Sequence, residues 1–277
     1  MRLKIDNVHI NYITGKRKNS SGIPVLFIHG FSGNSSDWEF LMDGLHSSFY
    51  PVAIDLIGHG MSDSPDDPNI YTCSALVRHI DVLMKELGYN NFILCGYSMG
   101  GRAALSYSLK YPGNVISLIL ESTTAGLEDY NEKKERVEYD FLLAEKIKSN
   151  GLDNFVDYWF GLPLFESLKK LDNFEQIKNK RKQNNAIGLS NSLLGFSTGL
   201  MPSHWSKLNS IEFPVLLISG SGDRKYSEIS GRMNKMIRTS KHEIVEGAGH
   251  NVHLEKPEEF VNLLNSFLSK IIDGKIS

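Results

Sequence analysis

Apolar positions along this 277-residue chain fall into two alternating rhythms. Residues 3–5 and 8–12 read as an opening hairpin or edge pair of strands. Residues 25–28, 52–54, 92–95 and 116–120 are short apolar runs bounded by turn residues. Their continuous rather than alternating character suits strands buried on both faces, as in a parallel sheet. Between them apolar residues return at helical spacing. Leu76, Ile80, Leu83, Met84 and Leu87 mark one face of a helix over 73–87, and Gly88 stops it. Alternating strand and helix predicts a mostly parallel, doubly wound α/β sheet.

The rhythm changes after residue 123. Strand signals vanish across 124–208, where 129–149, 152–159, 164–171, 174–183 and 186–196 read as helices. Strands resume at 215–218 and 243–245. A last helix follows Pro257, with Phe260, Leu263, Leu264, Phe267 and Ile271 on its apolar face. The expected organisation is a core of 1–123 and 209–277 interrupted by an all-helical cap. Such a cap would cover the carboxyl edge of the sheet, where α/β folds bind ligands.

Composition narrows the function. Lys and Arg number 30 against 32 Asp and Glu, a net charge of −2 with the signs mixed along the chain, so no nucleic-acid partner is expected. Cys73 and Cys95 offer no disulfide framework. The N-terminus lacks the apolar core of a signal peptide, and no apolar run is long enough to span a bilayer. A cytoplasmic protein without membrane association is the expectation. No metal-ligand cluster is evident, and Gly58-His59-Gly60 lacks the spacing of a phosphate-binding fingerprint, so no cofactor is expected.

The chemistry centres on Gly96-Tyr97-Ser98-Met99-Gly100, which follows the apolar run 92–95 and opens into Arg102-Ala103-Ala104-Leu105. Strand, Gly-x-Ser-x-Gly, helix is the nucleophile-elbow arrangement of α/β-hydrolases. The turn is sharp enough to strain the serine, and the flanking glycines leave room for it. A serine hydroxyl needs a base, and the base needs a third group to hold its tautomer. In this fold the order is Ser, acid, His. Asp223 ends Ser219-Gly220-Ser221-Gly222 past one strand, and His250 ends Gly247-Ala248-Gly249 past the next. The candidate triad is therefore Ser98, Asp223 and His250. His253, the rival imidazole, lies toward the final helix, where packing or a supporting role is its expected use. In His29-Gly30-Phe31, at another strand end, the backbone N–H of Phe31 would join that of Met99 in an oxyanion hole. Asp55-Leu56-Ile57-Gly58-His59-Gly60 reads as a structural turn.

Arg102 falls one helical turn beyond Ser98, on the same face. A guanidinium packed there is costly unless paired. A structural salt bridge would satisfy it. A carboxylated substrate would too, and that reading is favoured, because guanidinium and carboxylate pair bidentately. Arg136 and Arg181 lie in charged runs that read, on composition, as solvated helix faces. Trp159 and Phe160 read as cap core or pocket wall.

The whole chain resembles the 2-succinyl-6-hydroxy-2,4-cyclohexadiene-1-carboxylate synthases of menaquinone biosynthesis. The matching stretches are the elbow through Gly101-Arg102, Leu120-Glu121-Ser122 and Ala125-Gly126-Leu127. Further on they are Asp157-Tyr158-Trp159, Pro163-Leu164-Phe165, Arg181 with Asn184-Asn185 and Gly188-Leu189, Pro202-Ser203 with Trp205, and Gly249-His250 with His253-Leu254-Glu255. The resemblance implies a lyase that eliminates pyruvate from a cyclohexene bearing three carboxylates. In it Ser98 acts as a base and forms no acyl-enzyme. It implies a small polycarboxylate substrate held by Arg102, Arg136 and Arg181, with Tyr97 and Trp159 lining the pocket. Many relatives carry an arginine near position 194, where this chain has Leu194, and Gln before Pro-Ser, where it has Met201. The alternative on the same residues is a serine carboxylesterase or carbon–carbon bond hydrolase with Ser98 as nucleophile.

Overall fold

The computed structural model describes residues 1–15 and 22–274. Eight strands run in chain order as β1 (Arg2–Ile5), β2 (Val8–Thr14), β3 (Ile23–Ile28), β4 (Phe49–Ile54), β5 (Phe92–Tyr97), β6 (Val115–Glu121), β7 (Val215–Gly220) and β8 (Ser240–Val245). They form one sheet in the order β1-β2-β4-β3-β5-β6-β7-β8. β1 pairs antiparallel with β2, and β2 with β4; every other neighbouring pair is parallel. The helices are α1 (Glu39–Gly44), α2 (Cys73–Glu86), α3 (Met99–Lys110), α4 (Tyr130–Gly161), α5 (Phe174–Arg181), α6 (Ala186–Phe196), α7 (Arg224–Met236), α8 (Val252–Glu255) and α9 (Pro257–Ile272).

The two faces of the sheet explain the unbroken apolar runs. Leu26, Ile28 and Leu94 pack on one face with Leu76 of α2, Ala103 of α3 and Met233 of α7. Val25, Phe27, Ile93 and Cys95 pack on the other with Leu41 of α1 and Phe260 of α9. Successive strand residues point to opposite faces, so a strand covered on both sides has no polar alternation to show. β8 differs. It is the edge strand beside β7, half-exposed along most of its length, and Lys241 and Glu243 pair across its surface. Charge on an edge discourages pairing with another chain; it also shortened the apolar signal to 243–245.

Between β6 and β7 lie α4, α5 and α6, with an apolar cluster of their own that includes Leu143, Phe155, Phe160, Phe165, Leu189 and Leu193. Gly151 (φ 79°, ψ 165°) breaks α4 where the sequence divides 129–149 from 152–159. The helix expected over 164–171 is not there; two short 3-10 turns, Pro163–Phe165 and Leu168–Lys170, occupy that stretch. Pro163 starts the first turn, and the buried residues Phe165 and Leu168 are anchored three apart, which suits 3-10 spacing. α7 was not anticipated. Its interior is polar, and its apolar stripe is sparse: Tyr226, Ile229, Met233 and Met236.

Candidate active site

Ser98 sits between the end of β5 and the start of α3 with φ 49° and ψ −107°. This left-handed conformation is costly for a residue with a Cβ. It is held from both sides: Ser98 N–H donates to the Glu121 carbonyl at 2.9 Å, and the Ser98 carbonyl accepts from Thr123 Oγ1 at 2.7 Å. A Cβ on Gly96 would lie 2.6 Å from the Gly100 carbonyl oxygen, and one on Gly100 would lie 2.3 Å from that of Ile28. The pentapeptide thus folds into a turn that only glycine permits at either end.

The two loops past β7 and β8 bring their residues to this serine. Asp223 Oδ2 lies 2.6 Å from His250 Nδ1, and His250 Nε2 lies 3.2 Å from Ser98 Oγ. The buried Asp223 carboxylate accepts from Nδ1–H, which leaves the Nε2 lone pair to receive the serine proton. Rings fix the imidazole on two sides. Tyr97 lies 5.3 Å from it and Tyr226 4.6 Å, centroid to centroid. His253 is elsewhere. It is buried, stacks on Trp38 at 4.3 Å, and its Nδ1 meets Glu121 Oε2 at 2.8 Å. Its ring also lies 4.8 Å from that of Tyr97, so its contacts are with Trp38, Tyr97 and Glu121.

Phe31 and Met99 both line the cavity that contains Ser98 and His250. Met99 opens α3, so its N–H has no carbonyl one turn back to bond. The turn carrying Phe31 is set by His29. Its Nε2 accepts from Leu56 N–H at 3.0 Å, so its Nδ1 carries the proton and donates to the Gly30 carbonyl at 2.7 Å. Burial lowers the His29 pKa and keeps the ring neutral in that tautomer. Asp55 has the structural use expected, accepting from the backbone N–H groups of Ser35 and Met61.

The three arginines reach the same cavity in different electrostatic states. Arg102 is buried, and its Nη1 donates to the Phe196 carbonyl at 2.9 Å while its guanidinium lies 4.5 Å from the Phe196 ring centre. No carboxylate pairs with it among the described residues. Burial, reinforced by repulsion from Arg136, pushes its pKa down to about 10. Arg136, half-buried, gives its Nε to Asp140 at 2.8 Å. Arg181 is buried against Asp37, with Nη1 2.8 Å from Oδ1. Burial opposes ionisation of Asp37, but the charge and hydrogen bond of Arg181 outweigh it and hold that carboxyl below its usual range. The solvated-face reading of Arg181 from composition therefore fails. Trp159 forms a wall with Phe31 at 5.3 Å and Phe165 at 5.6 Å.

Of the residues anticipated from sequence, only Asp223 stands outside the cavity wall, behind His250. Asp37, Asp140 and Tyr226 also line the cavity and were missed. The Asp37 and Asp140 signals are long-range pairings that no local pattern encodes. Tyr226 could have been found, since it lies three residues after the candidate acid.

The fold and the convergence of Ser98, His250 and Asp223 are those of an α/β-hydrolase-fold protein, and residues 23–257 match the family model described as alpha/beta hydrolase fold. A Bacillus subtilis protein provisionally named 2-succinyl-6-hydroxy-2,4-cyclohexadiene-1-carboxylate synthase is 40% identical over 264 residues, 95% of this chain and 96% of its own. An Enterobacter protein of that name, without the proviso, is 32% identical over 88% of this chain and 92% of its own. The solved structure of MenH from S. aureus superimposes with a TM-score of 0.89 at 29% identity, covering 94% of this chain and 98% of that one. The chain belongs to the 2-succinyl-6-hydroxy-2,4-cyclohexadiene-1-carboxylate synthase family of enzymes.

Proposed function

We propose that this enzyme converts 2-succinyl-5-enolpyruvyl-6-hydroxy-3-cyclohexene-1-carboxylate into 2-succinyl-6-hydroxy-2,4-cyclohexadiene-1-carboxylate and pyruvate, a step of menaquinone biosynthesis. The observation that carries the reading is Arg102, a buried cation in the cavity of Ser98 with no carboxylate paired to it among the described residues. A site for neutral esters gains nothing from that desolvation cost, whereas an anionic substrate completes the pair.

The chemistry follows from the two ring systems. Going from a 3-ene with a leaving group at C5 to a 2,4-diene requires loss of the proton at C2, next to the succinyl ketone. His250, oriented by Asp223, takes the Ser98 hydroxyl proton, and the Ser98 oxygen takes the C2 proton. The freed electron pair spreads onto the ketone oxygen, which accepts from the N–H groups of Phe31 and Met99 in this reading. It then forms the C2–C3 double bond, moves the existing double bond to C4–C5, and breaks the C5–O bond. Pyruvate leaves as its enolate and receives the proton held by His250. No water is consumed and no acyl-Ser98 forms. Arg102, Arg136 and Arg181 hold carboxylates, and Tyr97 and Trp159 shape the walls. A cytoplasmic setting suits the two unpaired cysteines.

The test is pyruvate release from the cyclohexene substrate, read through lactate dehydrogenase, beside a panel of neutral esters. Ser98→Ala should lower kcat by roughly a thousandfold or more. Well-folded protein that releases no pyruvate rules out the lyase reading. The same Ser98–His250–Asp223 geometry also serves acyl transfer, so fast ester turnover with a trappable acyl-Ser98 would instead establish a serine hydrolase.

A further inference from the structure

We infer that Tyr226 joins Arg102 and Arg136 in one carboxylate receptor, as its neutral hydrogen-bond donor. The inference rests on the carboxylate-binding reading above and names a residue that meets one of those carboxylates.

Tyr226 lies in the first turn of α7. Its backbone N–H donates to Asp223 Oδ1 at 3.2 Å, so the carboxylate that orients His250 also fixes the position of Tyr226. The ring rests against His250 and lines the cavity together with both arginines. Its hydroxyl has no hydrogen-bond partner among the described residues. The buried Tyr71 hydroxyl donates to the Pro65 carbonyl at 2.8 Å and that of Tyr107 reaches Asp81 at 3.4 Å, whereas Tyr97, in the same cavity wall as Tyr226, likewise has no hydroxyl partner among the described residues. A tyrosine hydroxyl removed from bulk water ordinarily finds a partner. Tyr226 instead lines the cavity that the proposed substrate would fill.

What completes it must be an acceptor. Burial raises the Tyr226 pKa, with Arg136 and Arg102 pulling the other way, so the group stays a phenol and lies within the field of both cations. Guanidinium groups only donate. Arg102 has given Nη1 to Phe196 and Met201, and Arg136 has given Nε to Asp140; the remaining guanidinium N–H groups have no acceptor among the described residues. Asp140 shares its Oδ2 between Arg136 and Ser197, at 2.8 and 2.6 Å, and pairs with Arg102 only through the longer-range field, so Arg102 makes no ion pair among the described residues. Several donors and one net positive charge around one cavity match a carboxylate, which accepts at both oxygens.

Tyr226→Phe keeps the ring against His250 and removes only the hydroxyl. Titration calorimetry with succinate as the probe needs no turnover. The expected result is a succinate Kd raised roughly tenfold or more in Tyr226→Phe, the size of a lost hydrogen bond to a charged group. Arg102→Lys should weaken binding too, and the double variant should lose less than the product of the two single effects, since both act on one carboxylate. With the cyclohexene substrate the loss should appear in KM rather than kcat. Absence of saturable succinate binding to wild type, or equal binding by wild type and Tyr226→Phe, overturns the inference. So does a fall in kcat at unchanged affinity, which would mean that the hydroxyl acts through His250. Wild-type protein that releases no pyruvate, with succinate binding that still depends on Tyr226, defeats the lyase reading and leaves the receptor standing.

Discussion

Replacing Arg102 by methionine should make the protein more stable and nearly inactive. Burial and Arg136 hold the pKa of the Arg102 guanidinium at about 10, well below its ordinary range, so its charge carries a folding penalty of about 3 kcal/mol. At neutral pH both folded and unfolded chains keep the proton, and the penalty is present in full. It falls away only above about pH 10, as the folded form releases its proton before the unfolded one. Methionine removes the charge and fills similar volume. Against the gain stands the Phe196 carbonyl, which loses its donor at a cost of about 1–2 kcal/mol. The contact of the guanidinium with the Phe196 ring is partly replaced by sulfur against the same ring. The balance is a gain of about 1 kcal/mol, or roughly 2–4 °C in Tm. Urea unfolding without ligand measures it, and the pyruvate assay on the same preparation should show kcat/KM down by a hundredfold or more, about 3 kcal/mol of lost ion pairing with substrate. Destabilisation of Arg102→Met by about 2 kcal/mol or more would refute the reasoning. The guanidinium would then be a satisfied part of the core, and its lack of a carboxylate would say nothing about substrate.

Two further outcomes test the scaffold. His79 is buried with its Nδ1 unpartnered, and burial pushes its pKa down to about 4. The unfolded chain binds this proton first, so the stability due to neutral His79 is complete above about pH 6.5 and is lost as pH falls toward 4, by about 3 kcal/mol. His79→Gln should remove that much of the slope in unfolding free energy between those pH values, and an unchanged slope would contradict it. Gly100→Ala puts a methyl group 2.3 Å from the Ile28 carbonyl oxygen and 2.5 Å from that of His29, so soluble yield should collapse or stability fall by about 3 kcal/mol or more. Gly113→Ala, which meets nothing within 4 Å, serves as the control and should shift stability by less than about 1 kcal/mol.

What could be read from the chain, and what could not, divides along range of interaction. The strands were legible because burial on both faces leaves continuous apolar runs at positions such as 92–95, and the elbow because its Gly-x-Ser-x-Gly pattern sits directly between such a run and a helical one, although the space Gly100 needs is set by Ile28 and His29 at the end of another strand. Asp223 and His250 were legible through their places just past two such runs. Arg102 was legible because it shares a helix with Ser98, so one turn of helical geometry carries it to the same wall. The stretch at 164–171 misled because its apolar spacing fits a 3-10 turn as well as an α-helix, and Pro163 tips it to the former. Arg181 shows the harder limit. Lys178 pairs with Asp157 at 2.8 Å on the outside, while Arg181, three residues on, turns inward to Asp37, 144 residues earlier in the chain. Nothing within the run of basic residues distinguishes the one that is buried. That choice depends on where the all-helical segment rests on the loop after β3. A charged run is therefore a set of candidates for a buried pair rather than an argument for exposure. Which of them faces the cavity, and whether it arrives neutralised like Arg181 or unpaired like Arg102, decides whether it can recognise a carboxylate at all.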